Sequence, residues 1–476
     1  MKLLKNSVLQ QSLLYGMSIA LMKGISLLIL PFIAHQLSNE EFGRLEVIST
    51  LAIIGSILVG MGLEDTLFRF AGSVKTKAQQ NHITAQIFGL SLIVTVLALF
   101  AGWYSASTIA TWIPGSPSIY EVRLVVSVLA LEGCIAIPLG WLRMNDRAVN
   151  FFIASCGRAL LQATLVLILL HFERGVAGIL EAGLIATVAQ TLLLGYWQLR
   201  GTGISYNSQI GKRALIYSLP IVGSDLLAFT LNGLDRWILA SHTSLDDVAQ
   251  FSIATKFALA TVLLLQPFGM WWSPKRFTVL HETNGEAKVA RFVAMGIGLA
   301  LMISLWVAIL APILITQLLP ASYNNARQYA LGLIAIMLLK ELVELINIGC
   351  FIGKTTRSQF VINLIVALIG VSAMLVLTPT YQVWGIIFAL LLAQSIRLWL
   401  FYQVSQYFLP LNYPLKSLMM LTLVGLFWLF ISLQLSHILH LLLVLICATL
   451  SLLFCAQALN LIKLPFTFMQ WSLINE

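Results

Sequence analysis

Apolar residues follow one another along this chain in blocks of roughly twenty, separated by short polar links. At 1.5 Å per residue a block of that length reaches about 30 Å, the thickness of a bilayer's hydrocarbon core. The blocks fall at 11–34, 45–63, 83–103, 121–142, 150–170, 176–198, 213–240, 249–271, 291–313, 327–350, 358–378, 383–402, 417–436 and 439–460. They predict an all-α polytopic membrane protein with about fourteen spanning helices. The opening segment MKLLKNSVLQQSLLYGM resembles a signal peptide in its lysines. Its apolar run continues through Phe32 without a small-residue cleavage site, so it is expected to stay as the first span.

The pattern is used twice. Ala34, Ser38, Glu40, Glu41 and Val47, around the first link, have counterparts 206 positions later in Ala240, Ser244, Asp246, Asp247 and Ile253. Val176, Gly178 and Ile179 recur as Val383, Gly385 and Ile386 at an offset of 207, and Arg147 recurs as Arg357 at an offset of 210. A repeat of this length contains six spans. An even number keeps both copies in the same orientation, so the repeat is parallel, with an axis along the membrane normal. The expected organisation is a six-helix lobe at 1–200, a cytoplasmic connector at 201–212 and a second six-helix lobe at 213–410. Two extra, lipid-facing spans and a short cytoplasmic tail at 411–476 follow.

Composition agrees with this and narrows the function. The chain is 59% hydrophobic and 10% charged, too apolar to cover a water-soluble surface. No polar interval is long enough for an ATPase or a large catalytic loop. The formal charge of +9 sits in short links rather than on a nucleic-acid-binding face. With the N-terminus cytoplasmic, the inner links collect 18 lysines and arginines against 3 outside. That bias predicts a multi-pass membrane protein with both termini in the cytoplasm. Cys134, Cys156, Cys350, Cys447 and Cys455 show no metal or disulfide spacing and read as small apolar packers.

Two six-helix lobes in parallel repeat, two C-terminal helices and a first outer turn of the form Leu-Ser-Asn-Glu-Glu-Phe-Gly (37–43) are together similar to a known architecture. They resemble the polysaccharide-transporter branch of the multidrug/oligosaccharidyl-lipid/polysaccharide exporter superfamily, the Wzx-type oligosaccharide flippases. The resemblance implies translocation of an undecaprenyl-diphosphate-linked glycan to the outer leaflet of a bacterial inner membrane, for O-antigen, capsule or exopolysaccharide. It implies membrane lipids, a polysaccharide polymerase and a chain-length regulator as partners. No cofactor or metal is expected.

Charges in hydrocarbon cost about 2.5–3.5 kcal/mol on insertion scales, so mid-span ionisable residues need a partner or a wet cavity. Lys23 and Lys256 are the first choice for contacts to the diphosphate, since the spans carrying them should line a cleft between lobes; Arg158 and Arg397 come second. Pairing is the competing reading: Arg158 with Glu132 or Glu181, and Lys340 with Glu344 four residues on. Asp225 follows SLPIVGS, where Pro220 and Gly223 should loosen the helix, and is the candidate for ion coupling. Glu64 and Asp65 are expected as inner gate residues, partnered by Arg69 or by Lys275 and Arg276.

Other features point elsewhere. GCFIGKTT (349–356) has three residues between its glycines where a phosphate loop needs four, and no strand precedes it. The repeated acidic pairs Glu40/Glu41 and Asp246/Asp247 suit helix N-terminal capping better than metal-dependent glycosyl transfer. Trp103/Tyr104 and Trp271/Trp272 sit where interfacial belts form. Competing functions are a peptidoglycan lipid II flippase, a multidrug/toxin antiporter and, from a different class, a membrane polymerase or ligase, for which the links are too short. A non-transporting scaffold is the remaining alternative.

Overall fold

The computed structural model describes residues 2–458 except 73, 75, 231, 232, 274, 353–356 and 436, with side chains described from Leu14 onward. Lys75, Lys354 and Lys463, the side chains of Lys2, Lys5 and Arg357, and the second half of GCFIGKTT lie outside the described residues. The fold is all-α. In chain order the helices are α1 (Lys2–Gln36), α2 (Asn39–Gly60), α3 (Leu63–Gly72), α4 (Lys77–Trp112), α5 (Ile119–Met144), α6 (Ala148–His171), α7 (Gly175–Gly201) and α8 (Ser208–Thr230). There follow α9 (Leu234–His242), α10 (Leu245–Trp272), α11 (Arg276–Leu280), α12 (Gly285–Leu318), α13 (Ala326–Ile346), α14 (Arg357–Phe408), α15 (Leu415–Leu433) and α16 (Ile438–Ala458). Among the described residues, eleven helical stretches are long and apolar enough to cross a membrane.

The expected spans fall on these helices, but several helices are broken or extended in ways that length alone did not reveal. Span 2 divides into α2 and α3 at Met61 and Gly62, both left-handed with φ 46° and 59°. Glycine adopts that conformation at no steric cost, and here it also lets the turn lie against Ile221 and Ser218 of α8. In span 7, α8 runs helical through Pro220 and Gly223, where loosening was expected, and Gly233 (φ −147°, ψ −33°) departs from helical geometry just before α9. Spans 11 and 12 are joined in α14, whose 52 residues would reach about 78 Å if straight. Gln382, with φ 53° and ψ −127°, breaks it.

The chain packs as two compact units. One comprises Met1–Ser252, Leu318–Tyr323 and Val371–Ile386; the other comprises Ile253–Gln317, Asn324–Gly370 and Ile387–Glu476. In the first unit α5 packs on α2, α4 and α7, and α6 packs on α1 and α7. Ile87, Phe88, Cys134, Ile137 and Leu67 form one apolar core, and Trp141, Leu142, Ala154 and Leu194 form another. The connector expected at 201–212 is a short crossing from α7 to α8 held to α4, Ser205 N–H donating to Ala85 C=O at 3.2 Å. In the second unit α15 and α16 pack against α12 through Leu418, Leu421, Val444, Ala448 and Leu452. Trp306 donates to Thr449 Oγ1 at 2.8 Å, while Phe427, Phe430, Ile446 and Phe454 stay exposed on the same two helices. In a membrane those exposed faces meet lipid rather than water.

Candidate functional site

Some of the charges singled out from the sequence are held in ion pairs. On α6, Arg158 Nη2 lies 2.9 Å from Glu132 Oε1 of α5, and its Nη1 donates to Gln190 Oε1 of α7 at 3.2 Å. Three packed helices thus share one guanidinium. Of its two proposed carboxylates, Glu132 is the partner; Glu181 is taken by Arg174 at 2.5 Å and by the Tyr120 hydroxyl at 2.7 Å. Lys23 is exposed on α1, with no ion pair among the described residues. Lys256 is half-buried on α10 in the other unit.

Glu64, Asp65 and Arg69, expected at an inner gate, all lie on α3. The Glu64 carboxylate contacts Arg143 of α5 instead of Arg69, because α3 packs along α5 and brings the two together. Arg143 also stacks over Phe68 and Phe151, 5.4 and 5.7 Å from their centroids. Arg69, one turn further along α3, points instead to the Tyr217 ring of α8, 5.1 Å from its centroid. Asp65 and Asp225 are both exposed, on α3 and α8, close enough for their charges to repel.

In the second unit, Arg397 of α14 donates through Nε to Asn363 Oδ1 at 3.1 Å and has Nη2 3.7 Å from Glu344 Oε1 of α13. Glu344 therefore faces Arg397, and it also accepts from Asn347 Nδ2 at 3.1 Å. Arg276, expected at the inner gate, donates to the same Asn347 at 3.1 Å. Burial holds the Arg276 guanidinium below its ordinary pKa, against the opposing pull of Glu344.

The repeated links carry a contact that the capping reading missed. Capping is present: Ser38 and Glu41 form a reciprocal box at the start of α2, and Ser244 bonds Asp247 in the same way before α10. The neighbouring repeat positions meet each other. Asn39 Nδ2 donates to Asp246, and Asn39 Oδ1 accepts from Ser322 Oγ at 2.9 Å. Gln250 Nε2 donates to the Ser322 carbonyl at 2.7 Å. Tyr323, fully buried, packs edge-on against Phe42 with centroids 6.0 Å apart. Burial and then the charge of Asp246 push its phenol pKa up. Gly43 allows the approach: a Cβ there would collide with the Leu245 carbonyl. One turn deeper, Arg236 reaches Glu46 at 3.6 Å and Ser252 at 3.2 Å, and Trp237 donates to Val47 C=O at 3.1 Å. These contacts form a clasp between the N-terminal ends of α2 and α10. The repeat marked both links, with Glu40 matching Asp246 at an offset of 206, but carried no sign that Asn39 and Asp246 touch.

Many apolar helices with polar and charged groups placed inside them define a polytopic membrane protein. Residues 8–274, more than half of the chain, match the polysaccharide biosynthesis protein family. The chain belongs to that family. Among solved structures it is similar to a lipid II flippase, MurJ, in an inward closed conformation, at 14% identity and TM-score 0.72, covering 94% of this chain and 98% of that one. It is also similar to an inward-facing multidrug resistance MATE family transporter, at 15% identity and TM-score 0.61, covering 85% and 96%. A third is a MOP superfamily transporter from Pyrococcus furiosus, at 17% identity and TM-score 0.52, covering 83% and 96%. At these identities the fold is what is shared. The sequence has no significant match among curated proteins.

Proposed function

We propose that this transporter flips a lipid-diphosphate-linked oligosaccharide across the bacterial inner membrane for surface polysaccharide assembly. The observation that carries the reading is the family match over 8–274, joined to cations placed within apolar spans. The proposed arrangement is fourteen spans with both termini cytoplasmic, six-helix lobes at 1–200 and 213–410 joined through 201–212, and an added pair within 411–476. Lys23, Lys256, Arg158 and Arg397 contact the diphosphate as transport proceeds by alternating access. Asp225 couples an ion, and Glu64, Asp65 and Arg69 belong to the inner gate. A polymerase and a chain-length regulator receive the product. Lipid II is the second reading, favoured by the TM-score of 0.72 to a lipid II flippase against 0.61 and 0.52 to the other two transporters.

The test is surface glycan in the native bacterium carrying Lys23→Ala or Lys256→Ala. Each variant is expected to insert at native abundance, lose surface glycan and accumulate its lipid-linked precursor. Normal glycan from both variants removes these lysines from the path. Stalled cell-wall synthesis with intact surface glycan favours lipid II.

A further inference from the structure

Arg276 of α11 and Arg397 of α14 lie 121 positions apart in the sequence. In the structure both are tied to one carboxylate. Arg397 meets Glu344 directly at 3.7 Å, and Arg276 reaches it through Asn347, which accepts from Arg276 at 3.1 Å and donates to Glu344 at 3.1 Å. Aromatic faces fix both guanidiniums: Arg276 lies 4.5 Å from the Phe351 centroid and 5.0 Å from that of Phe277, and Arg397 lies 5.4 Å from that of Phe401. Asn363 holds Arg397 from the other side at 3.1 Å.

The two arginines are thus positioned by groups other than Glu344, while Glu344 is the loosely held member. Its side chain is 59% exposed against 19% for Arg397, and 3.7 Å is long for a charge-assisted hydrogen bond. Arg276 also keeps a buried Nε–H with no hydrogen-bond partner among the described residues. Two guanidiniums held by other groups, facing one largely exposed carboxylate, make a site whose shape outlasts its present occupant.

We infer that Glu344 is an internal stand-in for an anionic ligand, and that Arg276 and Arg397 form a diphosphate site which Glu344 fills until the ligand's phosphates displace it. A diphosphate has more acceptor oxygens and more negative charge than a carboxylate, so it can engage both guanidiniums at once. Glu344 then sets a threshold: weak anions fail to displace it, and a multiply charged headgroup succeeds. The choice of diphosphate rests on the flippase reading.

The test is binding of inorganic pyrophosphate, and separately of farnesyl diphosphate, to the purified full-length protein in nanodiscs of zwitterionic lipid. Glu344→Gln and Glu344→Ala are expected to tighten both ligands about tenfold, with Arg276→Gln and Arg397→Gln each weakening them about tenfold. Should one Glu344 variant fail to fold, the other decides. Unchanged or weaker binding in a folded Glu344 variant overturns the proposal. So does competition by phosphatidylglycerol, which would assign the arginines to a phospholipid headgroup. Binding is read without transport, so this result stands apart from glycan export, whose failure would overturn the flippase reading alone.

Discussion

At the scale of single residues, the deciding quantity is how each intramembrane charge is compensated. Arg158 is held by Glu132 and Gln190, with 24% of its side chain exposed. Arg158→Gln leaves the Glu132 carboxylate without its cation and is expected to lower stability in detergent by about 1–3 kcal/mol. Adding Glu132→Gln should restore most of the loss, and thermal unfolding of the two single variants and the double variant checks this. Failure of the second substitution to recover stability would mean that the contact is incidental. The sequence narrowed Arg158 to two carboxylates, since spacing shows which helices carry charge but not how they are rotated. Packing of α6 against α7 and α5 against α7 settles the choice, and Arg174, just before α7, has already taken Glu181. The same limit explains Glu64: its partner Arg143 lies 79 positions along the chain, and only the packing of α3 on α5 brings them together.

At the scale of elements, the positions of the apolar spans were legible because bilayer thickness dictates their length. The breaks were less so. Pro220 and Gly223 suggested an interruption that the helix absorbs, since neighbouring backbone can re-satisfy a freed carbonyl. Met61–Gly62 interrupts the chain without a proline, and Gln382 breaks α14 three residues after Pro379. The repeat was visible as matched letters, but the meeting of its two copies was not. Capping explains Ser38, Glu41, Ser244 and Asp247, and leaves Asn39 and Asp246 free to bond each other. If this clasp must open during transport, covalent closure should arrest it. In a variant whose native cysteines are replaced, Asn39→Cys with Asp246→Cys is expected to lose glycan export under mild oxidation and regain it on reduction. Undiminished export by the crosslinked form would show that α2 and α10 stay together throughout the cycle.

At the scale of the whole molecule, the all-α membrane fold follows from composition and span length, and the family from the match over residues 8–274. The substrate follows less directly, because chains sharing this fold at 14–17% identity include a lipid II flippase and a multidrug transporter. What separates those cargoes is the chemistry of a few side chains, so function must be read from movement of the headgroup itself. The direct measurement uses proteoliposomes carrying a fluorescent lipid-diphosphate oligosaccharide, with the label in each leaflet followed by an externally added quencher. The account predicts that the wild-type protein renders inner-leaflet label accessible from outside, while the Lys23→Ala, Lys256→Ala double variant matches protein-free vesicles. Label that stays in its leaflet with a folded wild-type protein, under an imposed ion gradient as well as without one, would contradict it.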